Sequence, residues 1–407
     1  MNSTPITRRQ MLGHAAGAAG ALALPALLAS RVSFAASAAG EARFVLVLLR
    51  GALDGLAAAP PIGDPDFARL RGDLAPGRAD ELQRLDDLFA LHPALGFMGE
   101  QWRQRQLTLL HAVATPYRDR SHFDAQDVLE SGYARPHAAQ SGWLNRALGG
   151  LPPPQGRPLP QQGGVALGAA VPLVMRGPRE VASWSPSRLP QLEDDTLQRL
   201  ADLYAEDALL ARRLADATAA QDMAGDAAGM DGGGRAANAQ LGQAATTAAG
   251  FLLREDGPRI AVLETSGWDT HANQGSVQGV LAGRLTALDN GLRTLQTGLG
   301  QAWQHTVVLV ATEFGRTVAV NGTRGTDHGT GAAAFLLGGA VRGRVVADWP
   351  GLRAAALHQG RDLAPTLDLR SVMASLLQDH LGMAPDFIQR EVFPDAGRLP
   401  RIAGLVG

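Results

Sequence analysis

The fold is decided by a stretch near the start of the chain, residues 44–55, which reads FVLVLLRGALDG. The unbroken apolar run Phe44–Leu49 predicts a β-strand that is buried on both faces. Such strands are typical of parallel sheets that carry helices on both sides. The turn that follows contains Asp54 next to Gly55, and it predicts either a simple bend or a metal ligand at the end of the strand.

The rest of the chain repeats this alternation of apolar strands and helical stretches. Further strands are predicted at Leu107–Val113, Val165–Met175, Ile260–Leu263, Val307–Val310 and Ala333–Leu337. Helical patterns occur at Ala79–Phe89, Ser121–Glu130, Leu281–Leu299 and Leu369–Leu381. This order predicts an α/β fold, with a doubly wound, mostly parallel sheet flanked by helices. Phe44–Leu49, Ile260–Leu263 and Val307–Val310 should be parallel neighbours near its centre, because strands without polar residues need cover on both faces.

Residues 40–407 are expected to form this single domain, with residues 190–254 as a helical insertion. Leu192–Ala219 and Ala236–Arg254 are rich in Ala and Leu, which favours helices. Gly225–Gly234 lies between them and is predicted to be the least ordered part, because glycine loses the most conformational freedom on folding.

The first 38 residues have the features of a twin-arginine signal peptide. Arg8 and Arg9 precede an uncharged stretch, residues 10–30, and the small residues Ala-Ser-Ala follow at 36–38. We therefore expect the export machinery to recognise this segment and the mature protein to be periplasmic or secreted. An uncleaved anchor is the alternative, since 21 uncharged residues could just span a bilayer. Its glycines and Pro25 make the stretch less apolar than most anchors, so no stable membrane anchor is expected.

The composition narrows the possible chemistry. The chain has no Cys, which excludes disulfides, thiolate metal sites and a cysteine nucleophile. It has no Lys either, so Schiff-base catalysis is excluded. A net charge of −2 gives no indication of nucleic-acid binding.

Acidic residues and histidines follow several of the predicted strands. Because the carboxyl ends of parallel strands meet at one edge of a sheet, these side chains are expected to converge. Carboxylates and imidazoles are ligands for one or two divalent ions, with Zn, Mg, Mn and Ca all open. The alternative is that each Asp-His pair forms a hydrogen-bonded turn and that each Glu is a surface acid. The candidate metal ligands are Asp54, Glu264, Asp269, His271, Glu313, Asp327 and His328.

Ser121 opens a predicted helix with the sequence Ser-His-Phe-Asp. It is either an N-cap, with Asp124 completing a variant capping box, or a nucleophile at a helix N-terminus, where the dipole favours anions. His122 is interpreted as a core residue or as a support for a ligand. Candidate clamps for a phosphate or sulfate are Arg118, Arg120 and Arg316. The histidines interpreted as structural are His92, His111, His137, His305, His358 and His380.

Together these residues resemble an exported bacterial family, the domain of unknown function 1501, which is grouped with the alkaline phosphatase and sulfatase superfamily. The resemblance implies a doubly wound sheet, one or two metal ions, and a hydroxyl or formylglycine nucleophile that attacks phosphorus or sulfur at a helix N-terminus. The matching blocks run in order along nearly the whole mature chain: residues 49–56 (LRGALDGL), 120–126 (RSHFDAQ), 267–271 (GWDTH), 312–317 (TEFGRT) and 327–329 (DHG).

By position, the resemblance makes Ser121 the nucleophile. It also implies a ligand role for Asp54, Glu264, Asp269, His271, Asp327 and His328. The chain departs from the superfamily pattern at three points. Ala114 stands where a sulfatase motif needs Cys or Ser, which excludes formylglycine there. Asn273 stands where phosphatases have a histidine, and Glu313-Phe314 replaces a strand-end Asp-His pair.

Three hypotheses follow for the function. The first is a periplasmic metal-dependent hydrolase of phosphate or sulfate esters, acting on a small anionic ester or an anionic polymer. Ser121 would attack, and Arg120 or Arg316 would neutralise the ester oxygens. The second is a catalytically degenerate member that acts as an exported anion- or partner-binding protein. The third is a metal-stabilised exported scaffold.

Overall fold

The computed structural model describes residues 41–77, 82–153, 162–168, 170–185 and 234–407, with single positions at 160, 204, 207, 209, 210 and 212. The predicted signal peptide lies outside the described residues. So do most of the predicted helix Leu192–Ala219 and all but the last residue of the Gly225–Gly234 run. Within the described ranges, no helix combines the length and the apolar character needed to cross a membrane.

The described chain alternates strands and helices along most of its length. The strands are β1 (Arg43–Arg50), β2 (Gln83–Arg84), β3 (Ala90–Leu91), β4 (Leu107–Ala114), β5 (Gly164–Leu167), β6 (Ala182–Trp184), β7 (Ile260–Ser266), β8 (Thr306–Thr312), β9 (Ala332–Leu337), β10 (Val345–Val346) and β11 (Leu367–Asp368). The α-helices are α1 (Gly55–Ala58), α2 (Phe67–Arg71), α3 (Gly96–Arg103), α4 (His122–Ser131), α5 (Trp143–Leu148), α6 (Gly234–Leu253), α7 (Val280–Leu299), α8 (Leu369–Asp379) and α9 (Pro385–Phe387).

The main sheet has nine strands in the order β10-β4-β9-β8-β1-β7-β5-β6, and β11 also pairs with β4. Strand β1 lies between β7 and β8 and is parallel to both, which confirms the predicted central trio. Strand β9 is antiparallel to both its neighbours, β4 and β8. The chain segment that enters β9 therefore lies at the same edge as the carboxyl ends of β4, β8, β1 and β7.

The central strand is covered on both faces, as its apolar sequence requires. Its odd-numbered side chains from Val45 to Leu49 join one core, to which α6 and α7 contribute. Its even-numbered side chains from Phe44 to Leu48 join a second core, to which α5 and α8 contribute. The architecture is therefore the predicted α/β fold, with helical layers on both sides of a mostly parallel sheet.

Helix α6 corresponds to Ala236–Arg254, the second helical stretch of the predicted insertion. It packs against α7 and against β7. Leu241, Ala245 and Ala248 on it are buried in the core. This stretch is therefore part of the helical layer of the domain.

The predicted helix Ala79–Phe89 is wrong in its described part. That segment contains β2, which forms an antiparallel hairpin with β3. The side chain of Asp86 accepts hydrogen bonds from the backbone N–H groups of Leu88 (2.9 Å) and Phe89 (2.6 Å). Aspartate stabilises turns in this way, and the turn outcompetes the helix here.

The predicted strand Val165–Met175 is too long. Strand β5 ends at Leu167, and Leu173–Met175 forms a 3-10 turn that follows Pro172. The apolar composition of the whole segment reflects burial of Val174 and Met175 rather than a continuous strand.

Candidate metal centre

Segments from distant parts of the sequence deliver the polar side chains to one edge of the sheet. His122 is the first residue of α4, which follows β4. Asp269 and His271 lie in the turn after β7, and His328 lies in the segment that enters β9. The reversed direction of β9 is what brings His328 to the edge where the parallel strands end.

Two glycines allow the turns to approach each other this closely. Gly51 has a φ of +116°, and a Cβ atom there would lie 2.8 Å from the backbone nitrogen of Asp269. A Cβ atom on Gly325 would lie 2.3 Å from the carbonyl oxygen of His271. Any side chain at either position would push the turn after β7 away from its neighbours.

Three imidazoles and one carboxylate meet in this turn region. The Nε2 atom of His328 lies 3.0 Å from Nε2 of His122 and 2.9 Å from Nε2 of His271. The Oδ1 atom of Asp269 lies 3.2 Å from Nε2 of His328 and 3.0 Å from Nε2 of His271. Of the residues predicted to converge, the structure thus brings Asp269, His271 and His328 together, and it adds His122.

The other nitrogen of each ring fixes the tautomer. Each Nδ1 atom faces either an ionised carboxylate oxygen or a backbone carbonyl oxygen. Such oxygens accept hydrogen bonds and cannot donate them, so Nδ1 carries the proton. The Nε2 atom of each ring then presents a lone pair toward the centre of the group. The Nδ1 contacts are His122 to Glu313 Oε1 (2.8 Å), His271 to Asp327 Oδ1 (3.2 Å) and His328 to the carbonyl oxygen of Arg120 (3.0 Å).

Three converging lone pairs beside a carboxylate repel one another unless a cation lies among them. Rings that donate Nδ1–H to an outer oxygen and present Nε2 inward are the usual arrangement of metal-bound histidines. His122, Asp269 and His328 each offer a donor atom within 4.8 Å of the others. The donor set therefore fits a divalent metal ion.

Arg316 holds the carboxylate of the group in place. Its buried guanidinium pairs with Asp269, and its Nε donates to the hydroxyl of Thr326 at 3.1 Å. Burial is the largest single influence on Asp269 and would raise its pKa, but the hydrogen bond and charge of Arg316, together with the neighbouring His271 and His328, outweigh it and the pKa is lowered. Asp269 is therefore an anion at neutral pH.

The histidine contacts also shift pKa values within the protein alone. The hydrogen bond to Glu313 raises the pKa of His122, although burial opposes it. Burial, together with the charge of His122, lowers the pKa of His328. Burial is the largest single influence on Glu313 and would raise its pKa, but its hydrogen bonds, from His122, Gln126 and backbone N–H groups, together outweigh it and the pKa is lowered. Glu313 is thus an ionised acceptor for the His122 ring.

Two predicted ligands, Glu313 and Asp327, lie behind the histidines. Glu313 also accepts from the backbone N–H of Gly51 at 2.8 Å and from Gln126 at 3.1 Å. Asp327 also accepts from Asn321 at 3.0 Å. In this geometry both acids orient imidazole rings.

Asp54 and Glu264, also predicted as ligands, are engaged elsewhere. Asp54 is fully buried, pairs with Arg71 and caps α1 through its bond to Ala57 N–H (3.2 Å). Glu264 accepts from Arg50 at 2.8 Å. These contacts indicate a structural role for both acids rather than a place among the converging donors.

The predicted anion clamps are also occupied. The guanidinium of Arg120 bonds to Asp362 at 2.8 Å and to Gln359 at 2.7 Å, so only its backbone carbonyl reaches the site. Its φ of +64° is a left-handed conformation that aims this carbonyl at His328. Arg118 donates to the carbonyl oxygen of Tyr117 at 2.7 Å.

Ser121 precedes His122 at the start of α4. It occupies the N-cap position with extended backbone, but its side chain makes no capping hydrogen bond. Its hydroxyl is thus not committed to the helix, as a pure cap would require.

Sequence reasoning missed His122 as a candidate ligand. The available signal was its position: it begins a helix that follows a buried strand, so it comes to the same sheet edge as the other turns.

Phe314 forms one wall of the group. Its ring lies 4.9 Å from that of His122 and 5.3 Å from that of His328, measured between centroids.

Across the described chain, only one cluster of three or more acidic or histidine donors lies within chelating distance.

The comparisons with known proteins identify a family but no activity. The crystal structure of Ps i-CgsB in complex with k-i-k-neocarrahexaose is similar with a TM-score of 0.37 and 10% sequence identity, over 84% of this chain and 72% of that one. The crystal structure of the phosphonate monoester hydrolase of Agrobacterium radiobacter is similar with a TM-score of 0.35 and 12% sequence identity, over 88% of this chain and 78% of that one. No curated protein gives a significant match. The family described as protein of unknown function (DUF1501) matches residues 90–391, the larger part of the sequence, and the chain therefore belongs to the DUF1501 family.

Proposed function

We propose that the protein is an exported metal-dependent hydrolase of phosphate or sulfate esters. The observation that carries this proposal is the convergence of three Nε2 lone pairs on the carboxylate of Asp269, with each Nδ1 held by an outer oxygen. The donors of such a group repel one another unless a proton or a metal cation lies among them, and a metal ion can bind all of them at once.

The donor chemistry narrows the choice of metal. Imidazole nitrogens suit Zn²⁺ and other transition metals, whereas Mg²⁺ and Ca²⁺ prefer oxygen ligands. His122, His271, His328 and Asp269 would hold the ion. A metal bound there would act as a Lewis acid on an ester oxygen and would stabilise negative charge at the nucleophile.

The chain supplies a candidate nucleophile next to His122 in the sequence. Ser121 directly precedes His122 and its hydroxyl is not used by the helix. Attack would form an Oγ–P or Oγ–S bond as the ester bond to the leaving group breaks, and water would later release the product. The Phe123 side chain, next to His122, is 85% exposed. An aromatic leaving group can stack on an exposed ring, so the test substrates include aryl esters.

The decisive experiment combines metal analysis with a substrate panel. We expect the mature protein to copurify with, or to bind, one Zn²⁺ or similar ion per chain, and to hydrolyse at least one aryl phosphate, phosphonate or sulfate ester. Ser121→Ala should lower turnover by orders of magnitude and leave metal binding intact. Ser183→Ala is the matched control, because Ser183 is an exposed serine on the outer strand β6. Absence of metal binding would refute the proposal.

The two arginines expected to neutralise the ester oxygens are already paired with carboxylates, and this favours a second candidate function. Arg120 and Arg316 already neutralise Asp362 and Asp269 in the structure. A member of the family that holds metal and binds an anion or partner without turnover would show this arrangement. Stoichiometric metal with no hydrolysis anywhere in the panel would select this candidate over the hydrolase.

Export is proposed from the sequence of the first 38 residues. Replacing Arg8 and Arg9 together by Lys should block transport through the twin-arginine route and leave the precursor in the cytoplasm. Cell fractionation of the wild type and of this variant tests it. Transport of the double variant at the wild-type level would contradict the twin-arginine assignment.

A further inference from the structure

A continuous line of hydrogen bonds runs from the interior of the domain to Asp269. Gln274 Nε2 donates to Asp54 Oδ2 at 2.7 Å, and Gln274 Oε1 accepts from the hydroxyl of Thr326 at 3.0 Å. The same hydroxyl accepts from Arg316 Nε at 3.1 Å, and Arg316 Nη1 pairs with Asp269. Asp54, Gln274 and Thr326 are fully buried.

The direction of each bond in this line is determined. A carboxylate only accepts, so the Asp54 side must face the amide nitrogen of Gln274. The amide oxygen then faces two hydroxyls, those of Thr270 (2.7 Å) and Thr326. Because the Thr326 hydroxyl donates its hydrogen to Gln274, its oxygen lone pair accepts the hydrogen bond from Arg316 Nε–H. Glutamine fits because it carries a donor at one end and an acceptor at the other.

The inner end of the line is rigidly fixed. Asp54 pairs with Arg71, and both side chains are fully buried. Arg71 also donates to the carbonyl oxygens of Thr317 (3.2 Å) and Val318 (3.3 Å). A buried ion pair contributes little net stability compared with apolar residues of the same volume. Its position at the base of this line gives it another use.

We propose that Gln274 is a positioning residue of the metal centre: it links the fixed Asp54 to Arg316 through Thr326, and so sets the orientation of the Asp269 carboxylate. The inference rests on the metal centre of the proposed function. It also assigns a role to Asp54, which the sequence placed among the ligands and which the structure places behind them.

The test measures metal binding, not turnover. Co²⁺ absorption spectra and Zn²⁺ affinity by chelator competition are recorded for the mature protein and for Gln274→Met, which keeps the volume and loses all three side-chain hydrogen bonds, those to Asp54, Thr270 and Thr326. We expect a 10- to 100-fold weaker Zn²⁺ affinity, about the loss seen for groups that orient a ligand, and an altered Co²⁺ spectrum. Gln101→Met is the control, since Gln101 is equally buried and lies on α3, away from the donors. It should change the thermal stability at most.

A second pair of variants keeps the inference testable if Gln274→Met fails to fold. Thr326→Val removes the hydroxyl at nearly constant shape, and Thr326→Ser restores it. The Val variant should show the weakened affinity and the Ser variant should recover it. Wild-type affinity and spectrum in both Gln274→Met and Thr326→Val would overturn this inference alone. A wild-type protein that binds neither Co²⁺ nor Zn²⁺ would overturn the metal centre and the inference together.

Discussion

Two regions of the molecule use histidine in opposite ways. At the sheet edge, His122, His271 and His328 donate Nδ1–H outward and leave Nε2 facing other donors. In the interior, His111 on β4 directs Nε2 at the carbonyl oxygen of Ala59 (3.2 Å) and accepts at Nδ1 from the N–H of Ala112 (2.9 Å). His380, after α8, likewise directs Nε2 at a backbone carbonyl, at 2.8 Å.

The difference lies in what remains for chemistry. Burial lowers the pKa of His111 and of His380 to about 4, so both are neutral at pH 7. The sheet-edge rings are partly exposed, and the polar contacts of their Nε2 atoms are with one another and with Asp269. Histidine is thus a structural element at His111, where both ring nitrogens have backbone partners, and a candidate ligand at the sheet edge, where Nε2 faces side-chain donors.

The largest expected effect is loss of the metal from the sheet-edge region. His328→Ala and Asp269→Asn should each weaken Zn²⁺ binding by about 10³-fold or more, because each removes one of the converging donors. The double variant should do little more, since the ligands act as one site. Calorimetry and metal content measure this. His137→Ala is the control, as its ring is 74% exposed and outside the group. Tight Zn²⁺ binding by the His328→Ala variant would show that His328 is not a ligand. The sheet-edge histidines would then not differ in function from the interior ones.

Removing an outer oxygen should have a smaller effect than removing a donor. Asp327→Ala should weaken Zn²⁺ binding by about 10- to 100-fold, because it frees the ring of His271 without deleting a ligand. The same chelator competition measures it. A loss as large as that of His328→Ala would instead support the sequence prediction that Asp327 is itself a ligand.

The buried histidines of the interior should make the free energy of unfolding depend on pH. A histidine whose folded pKa lies below its unfolded value binds a proton only after unfolding, so stability falls as the pH drops from about 6.5 toward about 4. Each of His111 and His380 should therefore cost about 2 kcal/mol of unfolding free energy at pH 5 relative to neutral pH. Urea unfolding at both pH values tests this. His380→Gln should flatten the dependence, and His137→Gln should not.

The smallest expected effect concerns the helix that carries His122. Ser121→Ala should change the unfolding free energy by less than about 0.5 kcal/mol, because no capping bond is lost. Asp368→Ala is the comparison, since the Asp368 carboxylate accepts from the N–H of Arg370 at 2.8 Å and caps α8. It should cost about 1 kcal/mol in the same assay. Equal losses in both variants would restore Ser121 to the role of a cap.

The sequence predicted the architecture well where a strand is long and wholly apolar. The runs at β1, β7 and β8 had no polar face and thus one solution, the centre of a covered sheet. It failed at Ala79–Phe89, where a short strand and an aspartate turn share the composition of a helix. It failed also at Val165–Met175, where periodicity does not separate a strand from a buried turn.

For the candidate site, the sequence determined the chemistry available: carboxylates and imidazoles at the ends of buried strands, without cysteine or lysine. Only the tertiary structure decided the role of each. Which acid reaches the centre and which stands behind a ring depends on the reversed direction of β9, on the approach permitted by Gly51 and Gly325, and on the partner of each ring nitrogen. Those partners come from positions up to about two hundred residues away, as with His122 and His328. Spacing along the chain carries no record of such contacts, because they are set by how the sheet orders its strands.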